Sequence, residues 1–121
     1  MEARAEALNT LGLLARSKGD HRNAEAFARR AASLWRSLGY QSRLADALSN
    51  LAAARALQNE PAEDIFEEAL QTAKDNLLLQ ARILSNLGWM FERSQQFSKA
   101  LAALEKAARL AEEIGASEQA S

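Results

Sequence analysis

Small residues recur along this chain at a fixed long interval. Ala24, Ala62 and Ala100 lie 38 residues apart, as do Ala31, Ala69 and Ala107. Within each copy the two alanines are seven apart, two turns along one face of a helix. Upstream sits a second recurring block: Leu8-Asn9-Thr10-Leu11-Gly12, Leu48-Ser49-Asn50-Leu51-Ala52 and Leu84-Ser85-Asn86-Leu87-Gly88. Its leading leucines are spaced by 40 and then 36, so the middle block has slipped by two residues. That slip is expected to lengthen the loop before the block and shorten the turn after it. Three copies of a two-helix unit account for nearly the whole chain.

The punctuation between hydrophobic stretches predicts helices over 2–17, 21–38, 42–57, 61–76, 78–93 and 97–114. Gly19-Asp20 ends the first, with Asp20 an N-cap for the second. Gly39 follows Leu38 as a C-terminal glycine would, and Ser42 can cap the third helix. Pro61 stands where the first residue of the fourth helix is expected. Asp75-Asn76 takes the place that Gly39 and Gly115 hold in the other copies, asparagine tolerating the left-handed conformation. Residues 1–115 therefore read as one domain of three repeats, 2–39, 42–77 and 78–115, followed by a frayed tail at 116–121.

Composition narrows the fold class to all-α. Among 121 residues, 27 Ala and 19 Leu supply most of the hydrophobic content, Val is absent, and there are only three Ile and two Thr. The absence of Cys removes disulfides, thiol catalysis and cysteine-based metal sites, and a single His removes paired-histidine sites. The longest charge-free runs, Ala7 to Ala15 and Ile83 to Phe91, are nine residues, far short of a membrane span. The first residues show no basic-then-apolar signal pattern. These features fit a soluble, cytoplasmic chain. Its net charge of −1 is distributed as +4 over residues 1–44, −5 over 45–79 and zero over 80–121.

Taken together, Leu11-Gly12, Gly19-Asp20, Ala24 and Ala31 in the first copy, and Leu87-Gly88, Phe97, Ala100, Leu104 and Ala107 in the third, resemble the tetratricopeptide repeat. The second copy departs, with Ala52 in place of Gly, no Gly-Asp turn, and Phe66 between Ala62 and Ala69. The long repeat is similar to those of kinesin light chains, and more so to helical arrays at the ends of large bacterial LuxR-type and antibiotic-regulator-type transcription factors. The resemblance implies three antiparallel helix pairs stacked as a right-handed superhelical solenoid. The alanines let paired helices approach closely, while Leu11, Phe66, Leu87 and Leu104 fill the space beside them.

Candidate chemistry is sparse. His21 takes the turn position of Phe97 and reads as a packing or capping residue, with no acid–base partner apparent. Glu67-Glu68 and Glu112-Glu113 are adjacent in sequence, so they diverge on a helix instead of converging on a substrate. No phosphate-cradling glycine loop is present. No catalytic residue, metal site or cofactor is implied. Arg22, Arg29 and Arg36, seven apart with Arg30 beside them, form a basic stripe. It reads as a solvated face neutralised in part by Asp46, Glu63, Glu67 and Glu68, which makes nucleic acid an unfavoured partner.

The resemblance points instead to a concave groove lined by the first helix of each pair, where asparagines hold an extended peptide. By that register the groove carries Asn9, Leu13, Arg16, Ser17, Asp46, Asn50, Ala53, Arg82, Asn86, Trp89, Glu92 and Arg93. Asn50 and Asn86 either bind ligand or tie neighbouring first helices together, and Trp89 is either an anchor or a packing residue. The expected function is non-catalytic binding of a protein or peptide segment, within a larger bacterial regulator. The alternative is self-association as a weak homodimer through exposed terminal helices, with Leu101 and Ala108 as the contact.

Overall fold

A computed structural model describes residues 1–120. They form six helices: α1 (Glu2–Ser17), α2 (His21–Leu38), α3 (Gln41–Leu57), α4 (Glu63–Thr72), α5 (Leu77–Arg93) and α6 (Phe97–Ala120). No strand occurs among the described residues. Connections of two to five residues make consecutive helices antiparallel neighbours. Each packs on the next, and α3 also touches α5.

Local chemistry explains most of the boundaries. The Asp20 side chain accepts the Asn23 backbone N–H at 3.2 Å and caps α2. Gly39 ends α2 at φ 78°, a conformation that only glycine adopts without strain. Gly19 takes the same φ in the α1–α2 turn, and Asn59 and Gln95 repeat it, at φ 60° and 62°, in the two corresponding turns. The left-handed turn therefore survives where its glycine is lost.

The second repeat departs most from expectation. α4 begins at Glu63 and has ten residues, so Pro61 precedes the helix instead of opening it. The two-residue slip shortens the link between α3 and Ala62. The segment matching the first turn of α2 and α6 is drawn out to bridge the gap. The turn after α3 is consequently the longest connection, spanning 58–62, and the α2–α3 loop is only 39–40. Both lengths reverse the expectation from the slip, because α3 starts at Gln41, one residue early, and α4 at Glu63, two residues late. Ser42 lies inside α3, whose N-cap is Tyr40 without a side-chain cap. Tyr40 instead stacks on Trp35, ring centroids 5.6 Å apart. Asn76 is extended, at φ −128°, and caps α5 by accepting the Leu79 N–H at 3.0 Å.

The frayed tail expected at 116–121 is helix as far as Ala120, and Ser121 lies outside the described residues. Gly115 is not in a left-handed turn, so nothing there stops α6. Its neighbours Glu112, Glu113, Ala116 and Gln119 are good helix formers, against which one glycine costs about 1 kcal/mol.

All six signature alanines are buried, as are Phe66 and Leu87 beside them. Leu11 and Leu104 do not fill the core as expected; both are exposed. Leu11 lies on a face of α1 that no other described helix covers. Leu104 lies over Gly88, where an added Cβ would come within 2.7 Å of its Cγ and Cδ2. At Gly12 the same Cβ would meet only ordinary contacts, the nearest Phe27 Cβ at 3.5 Å. Two equivalent glycines should thus respond differently to the same change. Gly12→Ala is expected to stabilise the chain by about 0.5–1 kcal/mol through helix propensity. Gly88→Ala forces Leu104 to move and should fall short of Gly12→Ala by about 1–3 kcal/mol. Denaturant titration of both variants checks the difference.

Candidate peptide groove

Helices α1, α3 and α5 lie side by side, joined by polar ties. Asn50 Nδ2 donates to Asn9 Oδ1 at 3.2 Å, linking α3 to α1. Asn86 Nδ2 donates to Ser49 Oγ at 3.2 Å, linking α5 to α3. Each asparagine is half-buried and commits one amide N–H in this way, retaining a carbonyl oxygen and a second N–H. Ion pairs extend the same seam: Arg43–Glu6 at 3.2 Å and Arg82–Asp46 at 3.6 Å, both between exposed side chains.

Two residues beyond the signature leucine, the three copies carry Leu13, Ala53 and Trp89. Ala53 is fully buried, Leu13 is 44% exposed and Trp89 half-buried. A small floor therefore separates two large side chains at equivalent positions of the outer copies. Arg93 places its guanidinium 5.4 Å from the Trp89 ring centroid, a cation–π contact that holds both side chains. Arg16 is exposed on α1. The depression bordered by Asn9, Leu13, Arg16 and Asn50 measures about 10 Å³, no more than one water. The face is a shallow surface there, not a formed cavity.

A far larger cleft, about 770 Å³, opens along the turn edge between Arg29, Arg55, the 59–65 segment, Met90 and Arg93. It lies where α4 lacks its first turn. Of the residues expected in the groove only Arg93 borders this cleft; Arg29, Pro61, Ala62 and Glu63 carry other expected roles, and nothing in their spacing marks them as one lining.

Beside the cleft, Glu25 gathers a network that sequence spacing could not show. Its carboxylate accepts from Arg29 at 2.9 Å, Arg55 at 3.0 Å and Gln58 at 2.7 Å, tying the start of α2 to the end of α3. Arg55 also donates to the Pro61 carbonyl at 2.8 Å and pairs with Glu60 at 3.3 Å, holding the unwound segment before α4. Burial alone would raise the Glu25 carboxyl, but the hydrogen bonds from Arg29, Gln58 and Arg55 outweigh it and hold the pKa below the ordinary value.

The remaining candidates are dispersed. His21 opens α2, half-buried, its Nδ1 buried without a hydrogen-bond partner and its carbonyl accepting from Gln58 at 3.4 Å. Of the carboxylates expected to neutralise the Arg22–Arg29–Arg36 stripe, Glu68 pairs with Arg36 at 3.1 Å. Asp46 and Glu63 turn elsewhere, to Arg82 and Lys99. Glu25, on the same helix as the stripe, takes Arg29. Leu101 and Ala108 are exposed on α6. No helix of the described residues is long and apolar enough to cross a membrane.

Stacked antiparallel helix pairs, small residues at each crossing and polar ties between first helices define a helical-repeat solenoid. The family model described as tetratricopeptide repeat matches residues 3–75 and 58–113, and the chain belongs to that family. A search of curated proteins returns no match. Tetratricopeptide repeats generally mediate protein–protein interaction and are typically non-catalytic.

The Glu25 network carries a pH signature. A carboxyl held below its ordinary value contributes stability that is present above the ordinary glutamate range and lost as pH falls through the folded value. Glu25→Gln should therefore be less stable than the wild type at neutral pH, with the deficit shrinking as the solution is acidified. Unfolding free energies of both chains across acid pH measure it.

Proposed function

We propose that the chain binds an extended peptide or protein segment along the surface formed by α1, α3 and α5. The observation that carries this reading is the pairing of Leu13 and Trp89 at equivalent positions on either side of buried Ala53, on helices that the Asn9–Asn50 and Ser49–Asn86 bonds hold in register. A segment lying across this face meets an apolar ledge at each end and free amide groups between.

Magnitudes assign the roles. One amide hydrogen bond contributes about 0.5–1.5 kcal/mol net, whereas micromolar affinity needs about 8 kcal/mol. Asn50 and Asn86 have already committed one N–H each, so they orient a backbone more than they hold it. Trp89 supplies the larger share, its indole ordered in advance by Arg93. Arg82 is offset by Asp46, leaving Arg16 and Arg93 as the cations that favour an acidic-flanked segment. The 38-residue period, longer than the usual repeat of about 34, supports placing the array within a larger cytoplasmic bacterial regulator of the kind its repeats resemble.

Selection of displayed peptides on the purified chain, followed by titration of a selected acidic-flanked peptide, tests the reading. Trp89→Ala is expected to weaken binding about thirty-fold or more. Asn50→Ala or Asn86→Ala should cost less, and added salt should weaken binding through Arg16 and Arg93. Wild-type affinity in all three variants, together with loss on changing Arg22, Arg29 and Arg36, would move the site to the outer face.

A further inference from the structure

Among the described residues, the first and last helices expose the same faces that the interior helices bury. On α2, Ala28, Ala32 and Trp35 are buried where α3 packs. The equivalent positions 76 residues on, Leu104, Ala108 and Ala111 of α6, are all exposed. On α3, Ala47, Leu51 and Ala54 are buried; 40 residues back, Ala7, Leu11 and Leu14 of α1 are exposed. Four leucines stand 42–59% open on these two stripes: Leu11 and Leu14 on α1, Leu101 and Leu104 on α6. Rows of exposed leucine and alanine on one helix face are the kind of surface that interaction sites use.

We propose that the α6 face of one copy docks on the α1 face of a second copy, so that the chain associates head to tail and repeats its own internal junction between molecules. The internal junction supplies the register. At the α2–α3 boundary, Gln58 near the end of α3 meets Glu25 near the start of α2, at 2.7 Å. At the other end Arg43 covers Trp35, 5.3 Å from the ring centroid. Transferred to the terminal faces, this antiparallel pairing sets Lys18, the counterpart of Gln58, at the Leu101–Glu105 end. It sets Arg4, the counterpart of Leu44, at the Ala111–Glu112 end.

Charge decides between the two ways that copies can meet. At about 100° per residue, Arg4 and Lys18 lie in line with the α1 stripe at its two ends, and Glu105 and Glu112 flank the α6 stripe. Arg109 lies further round the helix. Head-to-tail docking brings both cations to both carboxylates. A symmetric α6–α6 pair through Leu101 and Ala108, the contact expected from sequence, brings glutamates to glutamates. A heterologous contact does not close on itself unless the rotation forms a ring, so association continues beyond a dimer.

Sedimentation of the 121-residue chain over a range of concentrations is the test. The wild type should rise reversibly above its 13.2 kDa monomer mass and continue past the dimer. Leu14→Glu blocks only the head and Leu101→Glu only the tail, so each alone should be monomeric with wild-type circular dichroism. An equimolar mixture should form a dimer and stop there, because one intact head meets one intact tail. If either leucine variant loses helicity, a charge swap replaces it. Lys18→Glu and Glu105→Lys should each weaken association about two- to five-fold, the range of a surface ion pair, and the double variant should restore it. A strictly monomeric wild type overturns the proposal. So does a Leu14→Glu chain that still dimerises, which would assign the contact to α6 alone, or a mixture that stays monomeric while the wild type associates.

Discussion

Every helix pair in this chain has a second apolar face that only the neighbouring pair can bury, and the rest of the structure follows from that constraint. The three largest fully buried side chains, Trp35, Phe66 and Ile83, lie on α2, α4 and α5, at register positions whose counterparts on α6 and α1 are exposed. Helix α3, with neighbours on both sides, buries ten residues, while α1 buries four. Close packing within a pair is left to alanine and glycine, which bring helices together without supplying much apolar area. Stability therefore resides at the junctions between pairs.

The polar groups serve that stacking. The asparagine ties and the Arg43–Glu6 and Arg82–Asp46 pairs hold first helices in register along one edge. The Glu25–Arg55 network holds the opposite edge, where the turns lie. Exposed ion pairs contribute little individually, but Glu25 accepts three donors at a partly buried junction and gives up more when it is protonated. The same arrangement leaves Leu13 and Trp89 standing above a small floor, so the surface proposed for binding is a by-product of how the first helices are spaced.

Much of this was legible in the sequence. The period fixed three units, and the boundaries of α1 and α2 follow directly from Gly19, Asp20 and Gly39. The start of α4 departs from the proline because proline at a helix start is only a local preference. The chain length left between α3 and the buried Ala62 is a tertiary constraint, and it prevailed. The α6 boundary departs too: Gly115 resembles the capping Gly39 in sequence, yet its backbone stays helical. The Asn50 and Asn86 ties were one of two open readings, since an amide suits a ligand and a neighbouring helix equally well. The Glu25 network had no sequence signal, its partner Arg55 being 30 residues away. Leu11 reads as core by its equivalence to buried Leu51, yet among the described residues its side of α1 has no neighbour.

Native-state hydrogen exchange in dilute solution, where copies are separate, tests most directly whether the junctions carry the stability. Amides of α3 and α5 should exchange slowest, through global unfolding, with α2 and α4 close behind. Those of α1 and the last turns of α6 should open locally and exchange first. Protection in α1 equal to that in α3 would contradict the claim, because among the described residues α1 has a pair partner but no neighbour on its outer face.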